Sequence, residues 1–522
     1  MEKEYIVIVN KGVDLEQFDS ELAASTGNDK IPNRSVDVAN PRPGSKRMTH
    51  WMLTDDEANN LKKDPRVLNV EIPPKMRTDI SIGLNATQEF NFNKIIEANN
   101  TTANWGLTRV NSTSNNYGNG STPLRQEFEY AIDGTGVDIV IQDTGIEAGH
   151  PDFNNKKGIS RLQQIDWYSA SGLPGTMPTN HYTDYHGHGT HCAGVSAGLT
   201  YGFAKNANIY ALKVEGLEGP TDPNVGIPVE DCFDVIKQWH QNKNNGRPTV
   251  VNMSWGYGGT RFQTDPTSGV YRGNPWVYAL ETGNEIWQQY GVVPLLSGNT
   301  PARRIPVRVA SVDTDIEELI DAGVHVCIAA GNDYYKIDVS TGDDYNNTVD
   351  LGNGQEFYHR GSSPYSDRAF MVGNINSSTI ENESGIFIDR TAESSNRGPG
   401  TNIWAPGTDI LSSNSNVTVL SPVANYDDNY TVANISGTSM ASPQVAGVVA
   451  LHAQIKPNIT PEQMQTRIFG DSKPTIYNPG TDTDYAEYFT HILGSQNRFL
   501  YNKYGRQPLK INSPSTVTIG SV

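Results

Sequence analysis

The chain contains 522 residues, of which 36% are hydrophobic and 9% aromatic, so it is too apolar to be mostly disordered. Its 40 basic and 58 acidic residues give a formal net charge of -18, which disfavours nucleic acid and anionic membrane surfaces as partners. No apolar run approaches the roughly 20 residues that a membrane span requires. These quantities predict a globular protein that binds neither nucleic acid nor membrane.

Residues 1–75 show alternating strand and helix signals, including a Thr-Asp-Asp-Glu capping box that opens a helix at Thr54. The predicted order is β-α-β-β-α-β, which is that of a small ferredoxin-like α+β domain. Residues 76–104 are polar and lack clear periodicity, so we interpret them as a linker. The elements of the first domain are predicted near residues 5–9, 14–25, 35–38, 49–53, 54–63 and 67–72.

From residue 105 onward, apolar strands alternate with helices, which is the pattern of a parallel sheet covered on both faces. This pattern predicts a doubly wound α/β domain over residues 105–506, with a Gly-, Pro- and aromatic-rich insertion at about 257–310. Residues 507–522 are too few for a domain and are interpreted as a C-terminal tail. The predicted strands are 137–141, 209–214, 250–253, 324–329 and 370–372, and the helices include 228–240, 313–322 and 461–469.

The cysteines and the N-terminus bear on where the protein works. Cys192, Cys232 and Cys327 cannot all pair and lack metal-binding spacing, which excludes a disulfide scaffold and leaves one bridge open. The apolar run at residues 5–9 is too short for a secretory signal. We therefore expect no conventional export signal, and two locations stay open: inside a cell or within a phage virion.

Asp143 stands at the carboxyl end of an apolar strand and is followed by Thr144 and a glycine turn. Open parallel sheets place functional groups at this edge. An aspartate that only caps the turn is the alternative.

A second motif, His-Gly-His-Gly-Thr-His-Cys, spans residues 186–192. Histidine followed by small residues can open a tightly packed helix. His188 and His191 are three apart, which also allows a metal site, but the His-Glu-x-x-His pattern of zinc proteases needs a spacing of four and a glutamate base. Glycine and threonine stand between the two histidines here, and this disfavours a metal.

The third motif is the Gly-Thr-Ser-Met-Ala segment at residues 437–441, in which Ser439 is predicted to begin a helix. The Ser439 amide and the positive end of the helix dipole can stabilise an oxyanion. An ordinary N-cap serine is the alternative. That alternative does not explain why all three motifs occur in glycine-rich frames within one chain.

Together the three motifs resemble the Asp, His and Ser signatures of the subtilisin-like serine proteases, in that family's chain order. The resemblance implies a subtilisin-like, mainly parallel α/β fold with helices on both faces. It implies that Ser439 is the nucleophile, His188 the general base and acid, and Asp143 the group that orients and stabilises the imidazolium. His191 matches a family histidine without a catalytic role and is assigned to packing.

Two further segments match the family. The strand end at residues 324–332 resembles one whose asparagine, here Asn332, donates to the oxyanion, although a turn-forming Gly-Asn is the alternative. The segment at residues 250–256 resembles the strand that pairs main chain to main chain with substrate. The implied substrate-binding residues are Ser254, Trp255, Gly256, Ala329, Ala330 and Gly331.

Other positions refine or limit the resemblance. Cys192 and the segment at residues 198–205 are similar to the proteinase K branch of the family. Trp255 stands where the family usually has leucine, which leaves the preferred substrate residue open. Asn376 replaces an aspartate calcium ligand of that branch, and because calcium prefers charged oxygens, structural calcium stays unassigned.

Residues 4–75 resemble the family's inhibitory propeptide, which assists folding and leaves its C-terminal end in the active site. The main hypothesis is therefore a serine endopeptidase zymogen that acts on proteins or peptides, with its own N-terminal domain as inhibitor and no cofactor required for chemistry. The alternative is a structural or virion-associated interaction protein that retains a subtilase fold with little or no activity. The sequence does not determine the substrate, the processing site or the oligomeric state.

Overall fold

The computed structural model describes residues 1–24, 30–84, 87–88, 105–115, 129–218, 222–223, 225–262, 266–278, 286–292, 303–352, 354–381, 384–418, 420–478 and 491–506. The predicted tail at 507–522 lies outside the described residues. Within the described ranges, no helix is both long enough and apolar enough to cross a membrane.

The N-terminal elements follow the predicted β-α-β-β-α-β order and form an antiparallel sheet against which both helices pack. Phe18, Leu22 and Leu61 are the helix residues with the deepest burial in this packing. The capping box is present, with the Thr54 hydroxyl accepting from the Glu57 amide. The elements are β1 Lys3–Val9, α1 Leu15–Ala24, β2 Val38–Asn40, β3 Met48–Leu53, α2 Asp55–Leu61 and β4 Val67–Glu71, in sheet order β2-β3-β1-β4.

Part of the segment that we interpreted as a linker is strand, which corrects that interpretation. Residues Ser81–Leu84 form β5 and Thr87–Gln88 form β6, and each pairs with a strand of the larger domain. Sequence patterns did not reveal them because strands of two to four residues are too short for a detectable period, and their partners lie far along the chain.

The larger domain contains the remaining strands and helices. They are α3 Trp105–Val110, β7 Glu129–Tyr130, β8 Asp138–Asp143, β9 Leu162–Gln163, α4 Trp167–Ser171, α5 His188–Ala197, β10 Asn208–Lys213, α6 Val229–Asn242, β11 Thr249–Met253, β12 Trp255–Phe262, β13 Ser268–Tyr271, β14 Asn274–Val277, α7 Ile286–Tyr290, β15 Arg303–Pro306, α8 Ala310–Asp321, β16 His325–Ala329, β17 Thr348–Asp350, β18 Gln355–Phe357, β19 Phe370–Glu381, β20 Phe387–Thr391, β21 Ile403–Pro406, β22 Ile410–Ser413, β23 Ala424–Asn425, β24 Thr431–Ser436, α9 Thr438–Ile455, α10 Pro461–Asp471 and β25 Gly505–Arg506.

The central sheet has the order β9-β10-β8-β11-β16-β19-β20, and β21 also pairs with β19. Its strands run mainly parallel, as predicted, and β20 pairs antiparallel with β19. Along β8, Ile139 and Ile141 pack towards α3, α5 and α9, whereas Val140 packs towards α4, α6 and α8. Both faces of the strand are therefore apolar at its centre, which explains the three consecutive apolar residues at 139–141. Since consecutive strands cross over through helices on either face, this is the doubly wound α/β class that the sequence indicated.

The predicted insertion contributes to a separate antiparallel sheet of order β14-β13-β17-β18. Strands β13 and β14 lie in the insertion, whereas β17 and β18 are the next two strands after β16 in the chain. The stacked rings of Trp276 and Tyr290, 4.3 Å apart, lie in the apolar cluster beneath this sheet. Two distant stretches of sequence thus build one surface unit.

Candidate active site

Asp143 and His188 meet where β8 ends and α5 begins. The His188 Nδ1 lies 2.7 Å from the Asp143 Oδ1, and both side chains are buried. Helix α5 can approach the strand end this closely because residue 189 is glycine, where a Cβ would stand 2.1 Å from the Gly145 carbonyl oxygen. The glycine after His188 is therefore required by packing, which is the physical basis of the motif.

A buried carboxylate that we did not single out in the sequence, Asp184, fixes this junction. Its oxygens accept from the amides of residues 186–187, from the Thr190 amide and hydroxyl, and from the Thr144 hydroxyl. The Thr144 hydroxyl in turn accepts from the Gly189 amide at 2.9 Å. Asp184 thus caps the amino end of α5 and ties it to the residue after Asp143. A carboxylate just before a helix start is the signal that indicates such a cap.

The pKa of His188 is set by two opposing effects. Burial lowers the pKa of the imidazole, but the Asp143 carboxylate, together with the Cys192 sulfur, raises it by more. The pKa therefore lies well above its ordinary value of 6.5. The Asp143 carboxylate consequently favours the imidazolium, which is the state that a general base reaches after taking a proton.

Cys192 lies one turn after His188 and contacts both sides of the site. Its Sγ is 3.9 Å from the His188 Nδ1 and 3.5 Å from the Ser439 carbonyl oxygen. Cys192, Cys232 and Cys327 all fall within the described residues and are buried free thiols, so the bridge that the sequence left open is not formed.

The ring of His191 points away from the site. Its Nε2 lies 3.0 and 3.2 Å from carbonyl oxygens of β22 and β24, as a packing role requires.

Ser439 is the second residue of α9, and its hydroxyl donates to the Ser254 carbonyl at 2.9 Å. The His188 Nε2 has no hydrogen-bond partner among the described residues. His188 and Ser439 thus lie at the starts of helices α5 and α9, which pack together, and Asp143 lies at the end of β8. The serine–histidine hydrogen bond is not made. Rotation about one side-chain bond redirects a serine hydroxyl, and such bonds often form only with substrate.

Asn332 lies three residues after β16, and its side-chain oxygen is held by Thr438. Its Oδ1 accepts from the Thr438 amide at 3.0 Å and from the Thr438 hydroxyl. Both contacts engage the Oδ1 atom, and donation from the Asn332 NH₂ group to an oxyanion stays a prediction. The Ser439 amide at the start of α9 is the second donor that the sequence predicted.

Strand β5 of the chain itself pairs with the predicted substrate strand. In β5, Leu84 pairs with Trp255, Gly83 with Gly256 and Ile82 with Tyr257, all antiparallel. On the other side of the site, β6 pairs with β24, where residue 87 lies opposite Ser436. The described residues on either side of 85–86 therefore pair with β12 and with β24.

The predicted substrate-binding residues behave differently from one another. Gly256 pairs through its main chain, whereas the Trp255 side chain is buried in the core and its Nε1 donates to the Gln142 Oε1 at 3.3 Å. Trp255 belongs to the apolar cluster on which Ile82 and Leu84 pack, and its contact with substrate stays a prediction. Residues 329–331 are buried at the end of β16, and their contact with substrate stays a prediction.

The proposed calcium position does not fit a metal ligand well. The Asn376 Oδ1 accepts from the amide and the hydroxyl of Ser378, both at 2.9 Å, so this oxygen is engaged within its own turn. Because calcium needs several free oxygens, the arrangement is that of a neutral turn residue.

Comparison with known proteins agrees with this geometry. The sequence model of the subtilase family matches residues 134–488, and the chain belongs to this family. It is 26% identical over 450 residues to "Alkaline serine exoprotease A" of Vibrio alginolyticus, covering 86% of this chain and 57% of that protein. It is 25% identical over 424 residues to "Extracellular serine proteinase" of Thermus sp. (strain Rt41A), covering 81% of this chain and 70% of that protein.

Among solved structures, the chain is similar to a cold adapted subtilisin-like serine proteinase, with a TM-score of 0.44, 21% identity and coverage of 77% of this chain and 98% of that one. The chain spans only 57% of the Vibrio relative's length and 64% of that of a Penicillium citrinum relative, "Subtilisin-like serine protease Pen c 2". The resemblance to subtilisin-like proteases is thus confirmed at the level of the family, while the closer likeness to its proteinase K branch stays a prediction.

Proposed function

We propose that the protein is a serine endopeptidase made as a zymogen, acting on proteins or peptides, with its N-terminal domain as intramolecular inhibitor. Family membership and the Asp143–His188 pair support the chemistry. The main support for a zymogen is that β5 pairs with β12 and β6 pairs with β24. A peptide substrate would bind in the same way, by adding a strand to an exposed edge.

The proposed reaction uses only groups of the chain and its substrate. The Ser439 hydroxyl turns from the Ser254 carbonyl and attacks the peptide carbonyl carbon, while the His188 Nε2 takes its proton. The Asn332 amide and the Ser439 backbone amide donate to the oxyanion. His188 then gives the proton to the leaving amine as the peptide C–N bond breaks, and water, activated in the same way, hydrolyses the acyl-enzyme.

The register of the bound segment brackets the bond that would be cut. Leu84 is the last residue paired with β12, and Thr87 is the first paired with β24. Strand β24 ends at Ser436, and only one residue separates it from α9, whose second residue is Ser439. The scissile bond is therefore proposed to lie between Leu84 and Thr87.

The bound segment also indicates what side chains the cleft accepts. Ile80, Ile82 and Leu84 alternate along the strand and pack on the apolar cluster that contains α6, α8 and β12. A Cβ on Gly216 would lie only 2.6 Å from the Ile82 Cγ2. Glycine at this position therefore leaves room for the Ile82 side chain. We propose that protein substrates carry an apolar residue at the position of Ile82.

Mass spectrometry of the purified full chain tests the proposal. We expect the wild type to convert to two fragments cut between residues 84 and 87, and Ser439→Ala to stay intact. A wild type that stays intact and does not react with a fluorophosphonate would contradict the protease and favour the structural alternative. Cleavage at the same bond in Ser439→Ala would show that another protease performs it.

The activity is expected to depend on pH through His188. A histidine base with an ordinary pKa predicts a rise around pH 6–8. Because the raised pKa keeps the imidazole protonated to higher pH, and only the neutral ring accepts the serine proton, the rise in kcat/KM is expected above pH 6.5. A profile of kcat/KM against pH measures it, and a flat profile or a midpoint below 6.5 would count against His188 as base.

A further inference from the structure

Three carboxylates gather on the face of the larger domain that meets the N-terminal domain. Asp234 of α6 and Asp315 and Glu318 of α8 are all buried, and one oxygen from each lies within 4.8 Å of the others. Lys237 pairs with Asp234 at 3.1 Å and with Glu318. One lysine cannot balance three carboxylates, so this face needs a further positive charge.

Arg42 of the N-terminal domain supplies that charge. Its Nε donates to the Asp234 Oδ2 at 3.0 Å, and its Nη2 donates to the Asp315 Oδ1 at 2.9 Å and to the Glu230 carbonyl oxygen at 3.2 Å. The side chain is 1% exposed. A planar guanidinium can bridge carboxylates on two helices in this way, whereas a lysine offers only a point charge.

The loop that carries Arg42 is shaped to deliver it. Arg42 has φ of 44°, a backbone conformation that non-glycine residues adopt at a cost and that often marks a functional position. A Cβ on Gly44 would stand 2.5 Å from the Asp234 Cγ, so only glycine permits this approach. The Ser45 hydroxyl and the Lys46 amide both donate to the Glu318 Oε1, at 3.1 and 3.0 Å.

We propose that Asp234 and Asp315, which bind Arg42, and Glu318, which binds the loop after it, form a site by which the larger domain holds the N-terminal domain, independently of the segment in the cleft. Removing one partner of a buried, hydrogen-bonded ion pair leaves uncompensated charge and is strongly unfavourable. The site therefore keeps the N-terminal domain bound after the chain is cut between residues 84 and 87. Only this last consequence rests on the proposed function.

Hydrogen exchange of the full chain tests the site, with Ser439→Ala in every sample so that no cleavage intervenes. Arg42→Met removes the charge and the donors but keeps a long side chain. We expect the Lys46 amide and the two amides at 310–311, which donate to Glu71, to exchange about 100-fold faster. The amides of β1 and β3 are expected to keep their protection, which would show that the domains separate without unfolding.

Arg34→Met is the matched control, because Arg34 pairs with Glu57 and Glu2 inside the N-terminal domain. We expect exchange at 46 and 310–311 to stay at the wild-type rate. Exchange in Arg42→Met that is no faster than in Arg34→Met would overturn the proposal. Since exchange is measured on the uncut chain, this result is independent of whether the protein is a protease.

If the amides of β1 and β3 also exchange faster in Arg42→Met, the N-terminal domain has unfolded, and the site is tested instead by a substitution in the larger domain. Asp315→Asn is expected to open the same interface amides, and the double variant is expected to open them no further than the larger single effect, because the two residues form one interaction. Millimolar ethylguanidinium is expected to restore slow exchange in Arg42→Ala, and tetramethylammonium is not. Additive effects of the two substitutions, or equal rescue by both cations, would overturn the proposal.

Discussion

Replacing Ser439 with alanine is expected to lower kcat/KM for a peptide substrate by about 10⁶-fold, the general scale for loss of a triad nucleophile. Without the hydroxyl no acyl-enzyme forms, and only the oxyanion donors and substrate binding remain. Because this variant would also retain its N-terminal domain, it is first cut in trans by tagged wild-type enzyme, which is then removed. Hydrolysis of a fluorogenic peptide is measured afterwards.

Ser442→Ala provides the matched control for that experiment. Ser442 lies on the same helix, is equally buried, and donates to the Asn252 Oδ1 at 2.8 Å rather than facing the site. Its loss is expected to lower stability modestly and to leave kcat/KM of the same order. Equal losses in both variants would mean that the helix start, not the Ser439 hydroxyl, is what the activity requires.

Asp143→Asn is expected to lower kcat by about 10⁴-fold, because an amide cannot hold His188 in the tautomer that accepts the serine proton or stabilise the imidazolium. The substitution also removes the carboxylate that raises the histidine pKa. Only the Cys192 sulfur then opposes burial, so the pKa of His188 is expected to fall and the remaining activity to rise at lower pH than in the wild type. Steady-state kinetics across pH measure both effects on one sample.

Asp138→Asn is the control for this second prediction, since it makes the same change at the other end of β8. Asp138 is buried and pairs with Lys243 at 2.8 Å, far along the strand from His188. We expect it to lower the free energy of unfolding while activity per folded molecule stays close to that of the wild type. A pH profile that shifts in Asp138→Asn as much as in Asp143→Asn would show that the shift is not local to the triad.

The sequence predicted the features that depend on local pattern. The apolar strands, the capping box at Thr54 and the Asp, His and Ser motifs each lie within a few consecutive residues, where period, spacing and glycine placement have direct physical causes. Gly189 illustrates this, because the packing of α5 against the turn at Gly145 leaves no room for a side chain. Such a constraint acts on a short stretch of chain, and the residue pattern there is enough to recognise it.

The features that the sequence did not reveal depend on contacts between distant residues. Residues 81–84 and 87–88 become strands because β12 and β24 provide partners more than 160 residues away, which no local period records. Asp184 and Arg42 are single polar residues whose roles come from what the fold places around them. Trp255 differs from the family's usual leucine, and the fold places its buried ring beside Gln142.

The two strands flanking the proposed cut belong to different sheets. Strand β5 lies in the sheet β15-β12-β5, whereas β6 pairs with β24 of the sheet formed with β22 and β23. Once the chain is cut, the new carboxyl end and the new amino end are held by different sheets. Either end can therefore dissociate from its partner strand without breaking the hydrogen bonds of the other. Maturation would then proceed in two separable steps: the short downstream strand, with two paired residues, leaves readily, while the longer upstream strand persists as a bound product.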